Sequence, residues 1–141
     1  MANYCCANRT NYFHVKDPEA FKAFMDTVYA SEDEIKMWEE VDQDNKRMFA
    51  FGCYGMISGL AIDDDEYDTD YDAFIDGLQK HIADDDAVII FEAGNEKLRY
   101  VIGSATIVTS RDYEYIDITG EGTKLAAELL GNPKWKTRVD Y

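Results

Sequence analysis

The sequence is poor in cysteine, proline and long apolar runs, and each shortage excludes a class of protein. The three cysteines, Cys5, Cys6 and Cys53, are odd in number and two are adjacent, so no disulfide framework or paired-thiol motif is expected. The two prolines and the lack of a Ser/Gly-rich linker predict one domain over residues 1–141. No apolar run reaches the length of a membrane span or a signal peptide, so we expect a cytoplasmic protein with reduced thiols.

Positive charge is also scarce, because 14 Lys and Arg stand against 29 Asp and Glu, which gives a net charge of -15. Such a charge repels nucleic acid and anionic membranes, so we expect direct binding to neither and favour a cationic partner. Solubility alone is the other explanation of so acidic a surface. Disorder is not expected, because hydrophobic residues make up 46% of the chain and aromatic residues 13%.

The spacing of apolar residues predicts an α+β fold. Alternation predicts strands, and spacings of three and four residues predict helices. The predicted order is β-α-β-β-α-β-β-β-α, a mostly antiparallel sheet with three helices, whose first part would suit a ferredoxin-like arrangement. The strands are predicted at residues 11–16, 35–42, 47–54, 87–93, 97–110 and 113–119, and the helices after Asp17, after Thr69 or Asp70, and over residues 121–131.

Several local features of this pattern are specific enough to test. Residues 32–41 are expected to form a strand, and a helix that starts with a capping box is the alternative. A turn is expected at residues 94–95, and a bend or bulge at Gly103. Gly131 is expected to end the last helix.

Residues 63–76 are the most acidic stretch, since eight of these fourteen residues are Asp or Glu and none is basic. A calcium loop starting at Asp68 would need Gly and Glu at the positions that hold Ala73 and Gln79, so no metal site is expected there. A carboxylate at Asp70 favours the start of a helix. The acids upstream of that start need either solvation or a partner.

A second acidic group lies on the predicted hairpin. If residues 35–42 form a strand that continues to residue 44, Glu40, Asp42 and Asp44 project from one face about 7 Å apart. Carboxylates in such a row, with aromatic side chains among them, can imitate a nucleic-acid backbone. The residues predicted to bind a partner are Asp63, Asp64, Asp65, Glu66, Asp68, Asp70, Glu40, Asp42, Asp44, Trp38 and Tyr67.

Motifs for catalysis and metal binding are lacking. The cysteines and histidines do not have the paired spacing of a zinc site. We expect structural roles for His14, in a strand, and for His81, where a helix C-terminus favours an imidazolium. There is no G-x-S-x-G elbow and no phosphate-binding G-x-x-x-x-G-K-[ST] motif. We therefore expect no enzyme activity and no cofactor.

The tail of the sequence carries its one basic patch. Lys134, Lys136 and Arg138 alternate there with Trp135 and Thr137. We expect this tail to pack back on the acidic surface of the same chain. Contact with another copy, which would give a homodimer, is the alternative.

A resemblance to known proteins rests on three segments, "ANRTNYFHVKDPEAF", "LQKHIADDDAVIIFEAGNEKLRYVIGSA" and "LLGNPKWKTRVDY". They resemble small acidic proteins encoded on phages and conjugative elements of Gram-positive bacteria. Proteins in that setting include anti-CRISPR and antirestriction inhibitors, several of which look like nucleic-acid mimics.

The resemblance implies this genetic setting. Together with the acidic surface and the lack of catalytic motifs, it predicts a non-enzymatic inhibitor that binds the basic nucleic-acid groove of a host defence nuclease, either RNA-guided or a restriction enzyme. Two other functions are compatible with the sequence. One is a module that binds a small ligand or a divalent metal. The other is an accessory protein of the mobile element whose charge serves solubility only.

Overall fold

The structure is a computed structural model that describes residues 4–62 and 65–138, with residues 65–67 described by their backbone alone. These residues form three helices and nine strands in two sheets. In chain order the elements are β1 (Cys5–Thr10), α1 (Pro18–Met25), β2 (Val28–Ala30), β3 (Lys36–Val41), β4 (Arg47–Tyr54), β5 (Ile57–Ile62), β6 (Asp65–Asp70), α2 (Tyr71–His81), β7 (Val88–Glu96), β8 (Tyr100–Val108), β9 (Tyr113–Asp117) and α3 (Ile118–Leu130).

The fold class is α+β with mostly antiparallel strands, as predicted. The larger sheet has six strands in the order β3-β4-β1-β7-β8-β9, and each of its neighbouring pairs is antiparallel. The first part adopts the ferredoxin-like arrangement, as predicted. That arrangement is a β-α-β-β-α-β unit, formed here by β1, α1, β3, β4, α2 and β7. The sheet order β3-β4-β1-β7 places β1 between β4 and β7, and each neighbouring pair is antiparallel.

A second sheet was not predicted. It has three strands in the order β2-β5-β6. No strand was predicted between residues 54 and 87, although Ile57–Ile62 forms β5. The acidic stretch, predicted only to lead into a helix, forms β6 before α2 begins. Strand β6 pairs with β5 on one side and forms the edge of this sheet.

The first strand lies earlier than predicted, at Cys5–Thr10 rather than at residues 11–16. The side chain of Asn11 explains where it ends. Its amide donates to the carbonyl of Ala87 at 3.0 Å, and its carbonyl accepts from the N–H of Ile89 at 2.7 Å. These bonds to β7 and the residue before it replace the backbone ladder, so the chain leaves the sheet after Thr10.

The predicted hairpin of β3 and β4 is confirmed, and the helix over residues 32–41 is excluded. The next hairpin differs from its prediction. Residues 94–95 lie within β7, whose ladder with β8 continues to Glu96, and the chain turns where Lys97 has φ 51°. Gly103 makes no bulge, because the register through it is continuous; its missing side chain leaves room for Ile118.

Each helix begins at an aspartate whose carboxylate accepts backbone N–H groups, namely Asp17, Asp70 and Asp117. Gly131 ends α3 in the left-handed conformation, as predicted, with φ 64°. Helices α1 and α2 bury one face each, whereas α3 buries only Ala127.

An aromatic core joins the six-stranded sheet to α1 and α2. Phe13, which follows β1, is fully buried and meets the ring of Phe21 edge-on at 5.5 Å and that of Phe51 at 6.0 Å. Ile57 of β5 belongs to the same buried cluster. The small sheet is thereby fixed against the helix-side face of the large sheet.

Candidate functional site

The predicted partner-binding residues fall into two separate regions. Asp63 and Asp64 lie outside the described residues, and Asp65–Asp70 form strand β6, which we call the acidic edge. Four of its six residues are acidic. Tyr67 is part of it, and only its backbone is described.

Two side chains of the acidic edge can be described further. Asp68 is exposed, and Asp70 is exposed while its carboxylate accepts the N–H of Ala73 at 3.1 Å and so begins α2. Neither makes an ion pair with a described side chain. Their charges therefore remain available to a partner.

The second predicted group does not form a row on one strand. Strand β3 ends at Val41, so Glu40 lies in the strand while Asp42 and Asp44 lie in the turn that follows. The carboxylate of Asp42 accepts the N–H of Asp44 at 2.8 Å and that of Lys46 at 2.9 Å. The expected regular spacing of three carboxylates was wrong, because Asp42 folds back to stabilise the turn.

His14 lies between two carboxylates, which gives it the structural role that was expected. Its Nε2 is 2.6 Å from Oδ2 of Asp42, and its Nδ1 is 2.8 Å from Oδ2 of Asp86. Hydrogen bonding to Asp42 and then to Asp86 raises the pKa of His14 above its ordinary value. The N–H of Lys46, followed by His14, lowers the pKa of Asp42. Asp42 is thus occupied within the chain.

Cations of the chain itself also occupy the surroundings of β3. The guanidinium of Arg9 lies 4.1 Å from the ring centre of Trp38, another predicted contact residue. Arg47 pairs with Glu39 at 2.6 Å and with Glu19 at 3.2 Å. The structure therefore brings Trp38 and Asp42 into internal contacts and does not place them beside the acidic edge in a single row.

The helix-side face of the large sheet changes from apolar to polar along its strands. In β7, buried Ile90 is followed on the same face by half-buried Glu92, and in β8, buried Val108 is preceded by Thr106 and Ser104. This polar end faces the small sheet across a cleft of about 500 Å³. The cleft is lined by Asn8, Ser31, Met56, Ile57, Ser58, Thr69, Tyr71, Ile90, Glu92, Ser104, Thr106 and Tyr115.

Glu92 is the charged side chain in the lining of this cleft. Its carboxylate accepts from the hydroxyl of Tyr4 at 2.9 Å and from the amide of Asn8 at 3.4 Å, which are both neutral donors. Burial and then Glu92 raise the pKa of Tyr4 above its ordinary value. Burial raises the pKa of Tyr71, which begins α2 and lines the cleft together with Thr106 of the large sheet.

Two thiols beside the cleft have raised pKa values. Burial, followed by the charges of Cys6, Asp33 and Glu92, raises the pKa of Cys53 to about 11. Burial and then Glu92 raise the pKa of Cys6 as well, with a further contribution from Glu32. Burial is the largest cause for both thiols, and the nearby carboxylates add to it.

Sequence reasoning missed this cleft. Glu92 lies in the strand predicted at residues 87–93 and Ser104 and Thr106 lie in the strand predicted at residues 97–110, but no binding site was predicted on either strand. One signal was present: Ser104 and Thr106 alternate with Gly103 and Ala105 in a strand that is otherwise apolar. Such alternation indicates that one face of the strand is polar, although it does not identify what lies opposite.

The expectation for His81 was half right. Its role is structural, since its ring lies 4.9 Å from that of Phe24 and 6.2 Å from that of Phe21. It does not favour an imidazolium, however. Burial lowers the pKa of His81, an effect larger than any gain from the helix C-terminus.

The basic tail lies against α3. Half-buried Trp135 lines a groove with Thr123, Ala127 and Pro133. Within residues 4–62 and 65–138 the tail makes no ion pair. It packs back on the chain, as expected, but on this helix and not on the acidic edge.

No three His, Cys, Asp or Glu side chains in the described part of the chain are placed to hold a metal ion. Within that part, no helix is both long enough and apolar enough to cross a membrane. Comparisons with protein-family models, with curated proteins and with solved structures found no match to this chain.

Proposed function

We propose that this protein is a non-enzymatic acidic inhibitor that binds the basic nucleic-acid groove of a host defence nuclease in place of nucleic acid. The observation that carries the proposal is the acidic edge. Four of the six residues of Asp65–Asp70 are acidic, and the strand they form pairs on one side only. The resemblance to small acidic proteins of phages and conjugative elements supports the class of partner.

The distribution of cations supports this region as the contact surface. His14, Lys22 and Arg47 form ion pairs around β3, whereas Asp68 and Asp70 have no cationic partner among the described side chains. Each exposed ion pair with a partner is worth under about 1 kcal/mol, so binding depends on several carboxylates acting together. Such binding weakens steeply with salt.

Strand edges also carry charge for another reason, which is to prevent pairing between copies. This is the solubility explanation of the acidic edge. The two explanations differ in one result. Neutralising the edge abolishes capture of a basic partner if the edge is a binding surface, and promotes self-association if it only prevents aggregation.

The test is capture of partners from lysate of a host that carries defence systems, at low and at high salt. Three forms are compared: the wild type, a variant with Asp65→Asn, Glu66→Gln and Asp68→Asn, and a control with Glu114→Gln, Glu121→Gln and Glu128→Gln. The two variants lose the same charge, and the control residues are exposed on β9 and α3.

We expect the wild type and the control to capture a nuclease at low salt and to release it at high salt, and the edge variant to capture none. The captured nuclease is then assayed for cleavage with and without the protein. Equal capture by the edge variant, or capture without any loss of cleavage, would refute the proposal.

A further inference from the structure

The cleft between the two sheets has the chemistry of a cation site. Glu92 is a half-buried carboxylate whose described partners, Tyr4 and Asn8, carry no charge. No described cation forms an ion pair with it. A carboxylate withdrawn from water is costly unless a cation or several donors compensate for it.

The remaining lining of the cleft selects among cations. Ser58 and Thr69 on the small sheet and Ser104 and Thr106 on the large sheet, four residues with hydroxyl groups, line the same space. Tyr115 adds an aromatic ring at the mouth, where it is 62% exposed. A group with several N–H donors and a planar face fits this set, because hydroxyls accept hydrogen bonds and aromatic rings attract cations.

Guanidinium has these properties. It carries five N–H donors in a planar fork, pairs with a carboxylate and stacks on aromatic rings. A compact ammonium ion has three donors and no planar face. The cleft, at about 500 Å³, is large enough for a guanidinium and the alkyl chain that carries it.

We propose that this cleft binds a guanidinium group, with Glu92 as its counter-ion. The group belongs either to an arginine side chain of the basic partner or to a free small molecule. The first source rests on the proposed function, whereas the chemistry of the cleft does not. Thr69 belongs to both the acidic edge and the cleft lining, so a protein docked on the edge lies beside the cleft.

The test uses N-acetyl-arginine methylamide as the probe, measured by calorimetry, and its citrulline counterpart as the control. The citrulline compound has the same shape, but its urea group carries no charge. We expect saturable binding of the arginine probe at millimolar concentration and none of the citrulline compound. In the labelled wild-type protein, we expect amide shifts at Ser58, Thr69 and Ser104.

A matched pair of variants locates the interaction. Glu92→Gln keeps the size of the side chain and one acceptor oxygen, so it can accept from either Tyr4 or Asn8 but not from both. It is expected to weaken binding about tenfold. Glu96→Gln removes the same charge further along β7, outside the cleft lining, and is expected to leave binding unchanged. Melting temperatures show whether both variants fold.

Several results would overturn the inference: no binding of the arginine probe, equal binding of the citrulline compound, or equal weakening by the two variants. If Glu92→Gln does not fold, the wild-type amide shifts decide, and shifts confined to residues outside the cleft refute it. The probe also distinguishes the two sources of the guanidinium group. If the arginine probe displaces a captured partner, the cleft binds an arginine of that partner. If the partner stays bound, the cleft binds a free small molecule.

Failure of this inference is distinguishable from failure of the proposed function. Neutralising the acidic edge tests capture of the partner, and it removes no group that lines the cleft. Replacing Glu92 tests the probe without changing the edge. A protein whose edge variant still captures its partner but whose cleft binds arginine would refute the first proposal alone.

Discussion

His14 shows how a single side chain makes stability depend on pH. Its contacts with Asp42 and Asp86 raise its pKa in the folded protein. The stability it contributes is therefore complete below the pKa of the unfolded chain, about 6.5, and is lost as pH rises through the folded pKa. Asp42, whose pKa is lowered, contributes stability above about pH 3.9 that is lost as pH falls through its folded pKa.

We expect His14→Gln to lower the free energy of unfolding most between about pH 4 and 6.5, and much less at alkaline pH. The variant removes the imidazolium that both carboxylates contact. Urea denaturation at a series of pH values measures the difference from the wild type. A difference that stays constant with pH would show that the ring contributes by packing alone.

His81 is expected to act in the opposite direction. Burial against Phe24 lowers its pKa, so the neutral ring is preferred in the folded protein. Stability is then lost as pH falls below about 6.5, because the unfolded chain takes up the proton first. In the same denaturation series, His81→Gln should flatten the loss of stability on acidification. An unchanged acid slope would contradict this account.

The residues of the cleft could not be predicted from the sequence, for a physical reason. Asn8, Glu92 and Tyr115 are far apart in the chain, and strand register brings them together on the large sheet. Thr69 lies on the small sheet and faces them across the cleft. Alternation shows that a face is polar but does not show which face lies opposite. The prediction for Asp42 failed for a different reason. The sequence shows its negative charge, but its hydrogen bonds with His14 and with the backbone of the turn depend on the folded structure.

At the scale of elements, prediction succeeded where the apolar pattern was long. The hairpin of β3 and β4 and the helices α1 and α2 each had a clear period and a turn or cap. The small sheet was missed because β2 has three residues and β5 contains Gly59. Strand β6 was missed because aspartate is rare in strands.

Asp70 combines two roles that a pair of substitutions separates. Its carboxylate caps α2 through the N–H of Ala73, and its charge belongs to the acidic edge. Asp70→Ala should cost about 1 kcal/mol of stability, the usual value of such a cap, whereas Asp70→Asn should keep most of the cap and lose the charge. Urea denaturation measures both. If Asp70→Asn is as unstable as Asp70→Ala, the cap depends on charge and not on the accepted hydrogen bond.

Gly59 holds the junction between β5 and the start of α2. It has φ 117°, and a side chain there would meet the carbonyl carbon of Asp70 at 2.6 Å. We expect Gly59→Ala to cost about 1–3 kcal/mol or more. Gly122→Ala, in open space within α3, should add up to about 1 kcal/mol of stability. Chemical denaturation followed by circular dichroism compares them, and similar effects of the two substitutions would refute the strain at Gly59.

For the whole molecule, the net charge of -15 is the dominant property. Repulsion between so many negative charges destabilises the folded protein, and burial of the aromatic core offsets this destabilisation. Glu39 and Asp42, in and after β3, are paired with cations of the chain itself. Asp68, Asp70 and Glu92 form no ion pair with a described side chain, and this lack of compensation is what makes their surface a candidate for a cationic partner.

The most direct test of this account is competition between nucleic acid and the protein for the captured nuclease. The quantity measured is the apparent Kd of the protein for the nuclease at increasing concentrations of nucleic acid. The account predicts that the apparent Kd rises in proportion to the competitor, and that the variant with a neutralised acidic edge binds too weakly to compete. A ternary complex of nuclease, nucleic acid and this protein, or wild-type affinity in the edge variant, would contradict it.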